Sequence, residues 1–322
     1  MKAMVYSRYG GPEVLHVENI PEPNHGKGVI RIHVRAVAVT SADARIRGMK
    51  LPRGFGLMGR LIFGVTGPRQ PILGAAFSGT VNAVGPDTER FKVGDDVFGI
   101  NGMQVGAYAE MVCVSEKSAL AIKPEGLSHE AAAALPFGGT TAMEFLRRAK
   151  LKKGERILIN GASGSVGCAM VQLARNAGAH VVGVCSGCNA DLVRSLGAER
   201  VIDYTREDIL TSQDKFDVVV DTVGHVPVSN YRSILKPDGR LLLVQADLPA
   251  LLMAPVQSRW LGVRVIAGPI TERAGDVEAL ARLAVDGMFD PVIDRTVPFE
   301  QIPDAHRYVD TGRKKGNVVA VL

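Results

Sequence analysis

The sequence predicts an α/β protein of two domains, with a doubly wound parallel sheet in the middle of the chain and a β-rich domain built from its two ends. Three observations carry this. After Gly154 short apolar runs alternate with amphipathic segments, the pattern of strands joined by crossover helices. One of those junctions is a glycine-rich turn lying directly between a strand and a helix. The first part of the chain is instead rich in Gly and Pro and short of long helical periods. At 322 residues the chain exceeds one typical core, and its 46% hydrophobic and 22% charged residues are an ordinary globular balance.

Each element follows from local pattern. Val29–Val39 (VIRIHVRAVAV) alternates and then turns wholly apolar, as a strand entering a core does. Turn signals stand at Gly85-Pro86 and Val93-Gly94-Asp95, so this part reads as a small irregular barrel. Ser128 opens a helix over Ala131–Ala134, with Glu130 in its first turn. Strands are expected at Arg156–Asn160, His180–Cys185, Arg200–Asp203, Asp217–Thr222, Arg240–Gln245 and Val263–Ala267. Six strands with helices between them match a doubly wound dinucleotide-binding sheet. A helix over Asp276–Asp286 and a strand over Asn317–Leu322 close the chain. Because the central sheet is already complete, this tail rejoins the first domain. The expected division is 1–124 with 268–322, and 125–267.

Composition excludes several classes. Aromatic residues are 5% and the net charge of +5 is scattered, with one short cluster at Arg313, Lys314 and Lys315; no nucleic-acid partner is expected. The cysteines are Cys113, Cys168, Cys185 and Cys188. They form no disulfide framework, and the C-x-x-C of Cys185 and Cys188 lacks the second pair that structural zinc needs, so the two read as incidental thiols. The N-terminal MKAMVYSRYG has no apolar signal core, and no apolar run approaches the roughly 20 residues that span a bilayer. The expectation is a cytoplasmic protein with no membrane partner.

The strongest local signal is RILINGASGSVGCAMVQLARNAG. Ala162, Gly164 and Gly167 are spaced A-x-G-x-x-G after an apolar strand. Val166, Ala169, Met170, Leu173, Ala174 and Ala177 then recur on one helical face. Small residues here, with Ser163 and Ser165 among them, let backbone approach a pyrophosphate, and the N–H groups opening the helix bind the anion. The alternative is a glycine turn without a ligand. A carboxylate ending the second strand would bind the ribose of NAD. Here Ser186-Gly187-Cys188-Asn189 follows His180–Cys185, and no carboxylate comes before Asp191. Such a neutral pocket, with Ser186 and Asn189 as donors, suits the 2′-phosphate of NADP; alternatively these two residues cap the next helix.

Taken with MKAMVYSRYGGPEVL, GTVNAVGPDTERFKVGDDVFG, GAYAEMV, AALPFGGTTAM, SLGAERVIDYT, FDVVVDTVG and GNVVAVL, the chain resembles the zinc-independent, quinone-oxidoreductase-like branch of the medium-chain dehydrogenase/reductase superfamily over essentially its whole length. The resemblance implies a Rossmann domain with a GroES-like catalytic domain, an NADPH-dependent reduction of a quinone or α,β-unsaturated carbonyl, and a homodimer joined near Trp260–Ala267. Zinc-dependent relatives carry a Cys three residues before an Asp, then G-H-E-x-x-G. Here those positions hold Thr40 before Asp43 and Gly74-Ala75-Ala76-Phe77-Ser78-Gly79; Leu135–Gly139 has no Cys, and only Cys113 lies where a four-Cys lobe would be. Alanine cannot ligate a metal, so no zinc is expected. Hydride addition to a conjugated carbonyl needs less of a Lewis acid than alcohol oxidation, because the charge that develops is delocalised.

By the same resemblance, Thr40 and Arg45 face the substrate carbonyl, where relatives usually have Asn and often an aromatic. Arg45 then steadies an enolate, or else is a solvated surface charge. Asp43 holds the loop or pairs with Arg45 or Arg47. Thr141 contacts the nicotinamide or caps a helix start, and the two roles can coexist. Tyr204 lies near the adenosine phosphate, Thr222, Val223 and Gly224 pass the nicotinamide ribose, and Asn317 is a late cofactor contact. Relatives often place Arg or Lys at Cys188, and some have Lys at Asn317; Arg206, Lys314 or Lys315 are the substitutes at hand. Met49–Gln70 is expected to cover the site, with Phe55, Leu57, Met58 and Phe63 as an apolar wall, or to be ordinary loop packing. Two further readings are an enoyl-thioester reductase with Tyr108 as proton donor, and an NADPH-binding regulatory or nucleic-acid-binding protein with little catalysis.

Overall fold

The computed structural model describes residues 1–211, 213–224 and 226–322. In chain order, β1 (Lys2–Val5) and β2 (His16–Asn19) form an antiparallel ribbon. Then come β3 (Val29–Ala38), α1 (Ser41–Gly48), α2 (Gly56–Phe63), β4 (Ala76–Val84), β5 (Asp96–Ile100), β6 (Met111–Ser115) and β7 (Ala119–Ile122). The long helix α3 (His129–Ala149) leads into β8 (Arg156–Asn160), α4 (Ser165–Asn176), β9 (His180–Cys185), α5 (Ala190–Ser195) and β10 (Arg200–Asp203). After β11 (Phe216–Asp221) and β12 (Leu235–Leu243) come α6 (Leu248–Leu261), β13 (Arg264–Ala267), α7 (Ala274–Val285), β14 (Ile293–Pro298), α8 (Ile302–Asp310) and β15 (Asn317–Val321).

The middle of the chain makes a six-stranded parallel sheet in the order β10-β9-β8-β11-β12-β13. The order reverses between β8 and β11, so the crevice of a doubly wound sheet lies beyond the carboxyl ends of these two strands. Ile157, Leu158 and Ile159 of β8 are fully buried, as a strand covered on both faces requires. The expected strands β8, β9 and β10 have the bounds read from the sequence. β12 begins earlier, at Leu235.

The two chain ends share a seven-stranded sheet, β14-β15-β3-β4-β5-β7, with β6 added to β3. β15 runs parallel to β14 and antiparallel to β3, which returns the tail to the first domain. β3 alternates in burial and then is wholly buried at Ala36, Val37 and Ala38.

α3 differs from the expected short helix: it runs 21 residues and contains Pro136, Gly138, Gly139, Thr140 and Thr141. Intrinsic propensity argues against this, at about 1 kcal/mol for each glycine relative to alanine. Packing decides it. A Cβ on Gly138 would lie 2.6 Å from the Ser165 carbonyl oxygen, and one on Gly139 would lie 2.5 Å from Leu280. The glycines therefore let α3 press against the start of α4 and against α7, between the two sheets. Thr141 is consequently not at a helix start; its hydroxyl donates to the Phe137 carbonyl one turn back (2.7 Å), as Thr140 does to Pro136 (2.7 Å). α4 stops at Asn176, which leaves Ala177 exposed rather than on the apolar face.

Candidate active site

The glycine turn lies in the crevice. Gly161 takes a positive φ of 83°, and Gly164 is the N-cap of α4. The first α-helical bond runs from the Cys168 N–H to the Gly164 carbonyl (2.8 Å), so the N–H groups of Ser165, Val166 and Gly167 have no partner within the helix. A Cβ on Gly167 would come 2.1 Å from the Gly161 oxygen and 2.7 Å from the Ala162 Cα, so only glycine lets α4 begin this close to the turn. The free donors and the positive helix end fit a pyrophosphate.

Thr222, Val223 and Gly224 form the opposite lip. The Thr222 hydroxyl donates to the Asn160 carbonyl (2.8 Å), and the N–H groups of Val223 and Gly224 donate to Asp221 Oδ1 (2.9 and 3.0 Å). These bonds fold the strand end back onto Asn160 and Asp221. Asn317 reaches the turn but not outward. Ser165 Oγ donates to its Oδ1 (2.6 Å), its Nδ2 donates to the Pro291 carbonyl (2.5 Å), and the Gly316 N–H donates to the Ser163 carbonyl (2.9 Å). Its side chain is buried and occupied, so it ties β15 to the turn instead of extending toward a ligand.

The far end of the crevice differs from the neutral pocket expected. Asn189 is buried and donates to Ser163 Oγ (3.1 Å), bracing the turn, and Ser186 Oγ lies 3.3 Å from Cys188 Sγ; both stand at N-cap positions, but neither side chain makes a capping hydrogen bond. Asp203, the last residue of β10, brings a carboxylate against this loop. A Cβ on Gly187 would come 2.4 Å from its Oδ2, and Oδ1 accepts from the Thr205 N–H and hydroxyl (3.0 and 2.8 Å). These hydrogen bonds hold Asp203 below the usual carboxylate range. Nothing along β9 or the loop after it announces this carboxylate, because it is register that places Asp203 beside Cys185 of β9. Arg206 lies 3.7 Å from Asp203 with its side chain 86% exposed, and Tyr204 is exposed next to it. Lys314 instead donates to the Gly316 carbonyl (2.5 Å), on the pyrophosphate side, where burial pulls its pKa down to about 8. The Lys315 N–H is held by Asp294 (3.0 Å). Cys185 is buried, Cys188 is exposed, and both are free.

On the catalytic-domain side Thr40 is the N-cap of α1. Its hydroxyl donates to Asp43 Oδ2 (2.5 Å) and accepts from the Asp43 N–H (3.2 Å), while Oδ2 also accepts from the Thr40 N–H (2.9 Å). Asp43 Oδ1 accepts from the Gly74 N–H (3.0 Å). Burial pushes the Asp43 carboxyl up while these hydrogen bonds pull it down. Asp43 thus holds the loop and pairs with neither arginine. Buried Arg47 turns to Asp310 (2.5 Å), and Thr40 spends its one proton on the capping box rather than on a carbonyl in the cleft. Tyr108 is fully buried edge-on to His306, with ring centroids 5.7 Å apart; burial pulls His306 down to about 3 and pushes the Tyr108 phenol well above its ordinary value. That position is unsuited to the proton donor of an enoyl-thioester reductase.

Arg45 is the exception. It is half-buried and crosses the cleft to donate from Nη2 to Gln245 Oε1 (2.7 Å), just beyond β12 on the other domain. Burial lowers its pKa, yet a guanidinium stays charged at neutral pH. Among the described residues it forms no ion pair, and its partner Gln245 packs beside Gly224 at the end of β11.

Met49–Gln70 bridges the domains, since the Leu248 N–H donates to the Arg53 carbonyl (2.9 Å). It contains α2 rather than an irregular loop. Phe55 and Phe63 are half-buried, but Leu57 and Met58 are 76% and 41% exposed, so they do not wall the pocket.

A catalytic zinc does not fit these residues. Ala75 and Ala76 offer no donor, Thr40 and Asp43 are bonded to one another, and among the described residues no group of three or more His, Cys, Asp or Glu is placed to hold a metal.

Two family models match: "Alcohol dehydrogenase GroES-like domain" over residues 26–125 and "Zinc-binding dehydrogenase" over 196–320. The chain is 33% identical to a tomato (Solanum lycopersicum) 2-methylene-furan-3-one reductase, over 99% of this chain and 78% of that protein. It is 32% identical to an NADPH-dependent alkenal/one oxidoreductase of Arabidopsis thaliana chloroplasts, over 99% and 79%. The solved quinone oxidoreductase of Coxiella burnetii superposes with a TM-score of 0.88 at 29% identity, covering 100% of this chain and 99% of that one. The glycine turn, the two-domain frame and likeness along the whole chain therefore make this protein an oxidoreductase of the medium-chain dehydrogenase/reductase superfamily, in its quinone-oxidoreductase-like branch.

Proposed function

We propose that the protein reduces a quinone or an α,β-unsaturated carbonyl with NADPH and without a metal, and that Arg45 holds the oxygen on which charge develops. The Arg45 guanidinium facing the cleft carries this reading. A bound nicotinamide supplies the hydride. The free N–H groups of Ser165–Gly167 hold its pyrophosphate and the Thr222–Gly224 lip flanks the ribose, with Thr141 on α3 as the expected nicotinamide neighbour. Arg45 offers paired N–H donors to the acceptor oxygen, where a preorganised cation in a water-poor cleft counts for more than in bulk water. With Thr40 and Tyr108 turned inward, solvent supplies the proton that completes the reduction. Names of relatives support the substrate class; the alanines at 75 and 76 support metal independence.

Arg206 is the residue we assign to the 2′-phosphate. Asp203 beside it would by itself favour NADH, so the exposed Arg206 decides the preference. A turnover screen on chelator-treated protein, with NADPH and NADH against quinones, short enones and an aldehyde, tests both points. Expected is turnover indifferent to chelator and faster with NADPH, and an Arg206→Ala variant whose KM for NADPH rises about tenfold while that for NADH is steady. Loss of turnover on chelation, or a wild-type preference for NADH, overturns the corresponding point.

The outer edge of β13, with Trp260 77% exposed at the end of α6, is where we place the contact of a homodimer. Sedimentation velocity reads this directly, and a monomer at micromolar concentration removes it.

A further inference from the structure

The outer face of α2 has no role in the site described above. α2 is fastened from beneath: a Cβ on Gly59 would lie 2.0 Å from Leu51, the Tyr9 hydroxyl donates to the Gly64 carbonyl (2.9 Å), and the Arg69 N–H donates to Phe63 (2.7 Å). Held this way, the helix presents Leu57 (76% exposed), Leu61 (58%) and Ile62 (44%) to solvent, with Met58 beside them and Val65 (55%) just past its end. Clustered apolar side chains of this size on a surface mark an interaction site.

Charge selects the partner. From Ala44 to Pro86 the sequence has no Asp or Glu. In this segment Lys50, Arg53, Arg60 and Arg69 are all exposed, and among the described residues none forms an ion pair. Arg60 and Arg69 donate to the Val65 and Ile62 carbonyls (2.9 and 3.4 Å), which keeps both guanidinium groups beside the apolar face. A second copy of the chain docking here by two-fold symmetry would bring two like-charged patches together. An anionic bilayer surface meets both features: apolar side chains enter the headgroup–acyl boundary while flanking cations meet lipid phosphates.

We infer that α2 docks the protein onto an anionic lipid surface, with the cleft mouth bridged by Arg53 and Leu248 next to the membrane. Among the described residues no helix is long and apolar enough to cross a membrane, but a helix lying in the interface needs no such run. The inference does not depend on which acceptor is reduced.

Co-sedimentation of the full chain with phosphatidylcholine vesicles, with and without phosphatidylserine, tests it. Expected is binding to the anionic vesicles alone, weakened by salt. Arg53→Glu/Arg60→Glu should lower that binding by more than about tenfold, since each cation near an anionic surface contributes substantially. Leu57→Ser/Leu61→Ser should abolish it, with an unchanged melting temperature showing that the fold is intact. Absence of binding to anionic vesicles, or binding that neither double variant changes, overturns the inference. So does a Leu57→Ser/Leu61→Ser variant that sediments at a lower oligomeric state than wild type, because the face would then be a subunit contact.

Discussion

An Arg45→Met variant is expected to lose about 10²- to 10³-fold in kcat toward an enone or quinone, the usual cost of removing one oxyanion donor. Its KM for NADPH should stay near the wild-type value, because Arg45 meets Gln245 and the cleft rather than the glycine turn. Methionine keeps much of the aliphatic stem and removes the charge and its donors. Stability should change little, since no carboxylate is left stranded when the guanidinium goes. Gln245→Ala is the informative companion. It releases Arg45 from its one side-chain partner without removing the cation, so it should slow turnover far less. Steady-state kinetics with one conjugated and one unconjugated carbonyl separates the effects. If Arg45→Met retains kcat to within about threefold, the oxyanion role is wrong and the charge serves only to bring the domains together.

Gly167→Val is expected to have the largest structural effect of any single change in the crevice. Its Cβ would stand 2.1 Å from the Gly161 oxygen and 2.7 Å from the Ala162 Cα, both backbone, which no rotamer can relieve. Either α4 lifts from β8 or the turn opens, and both uncover the core formed by Ala162, Ala169 and Met170. Overpacking of a tight core costs typically 1–3 kcal/mol, and a backbone contact this short should reach about 3 kcal/mol or more. Thermal unfolding should show a large fall in Tm, and calorimetric titration with NADPH should show no binding even well below that Tm. Gly164→Ala is the contrast. A Cβ there meets only the Gly161 oxygen, at 3.6 Å, so the fold should persist. Equal stability of Gly167→Val and wild type would mean that the turn yields where the structure has it rigid.

Elements whose signal is local are legible in the sequence, for a physical reason. β8, β9 and β10 came out with their observed bounds because a strand buried on both faces is a short apolar run punctuated by polar turns. The glycine turn was legible because close backbone approach admits so few residue types. The poverty of metal donors at Thr40, Ala75 and Ala76 is likewise a property of composition at given positions. The rest depended on contacts between residues far apart in the chain. The helix expected over Ala131–Ala134 continues through Gly138 and Gly139 because Ser165 and Leu280 pack against them. Asp203 comes against the loop after β9 through register with that neighbouring strand, whereas the Thr40–Asp43 capping box is local, three residues apart, and only the Gly74 N–H reaches it from a distance. Leu57 and Met58 turned outward because Gly59 set the underside of α2. Arg45 found its direction from Gln245, 200 residues later. The sequence by itself therefore determined the α/β fold class, the glycine-rich turn between strand and helix, and the residue types standing at Thr40, Ala75 and Ala76, since each is a matter of local period or residue type. The tertiary structure alone decided which polar side chains remain free to act, because a hydrogen-bond donor is spent on whichever acceptor the fold brings within about 3 Å of it.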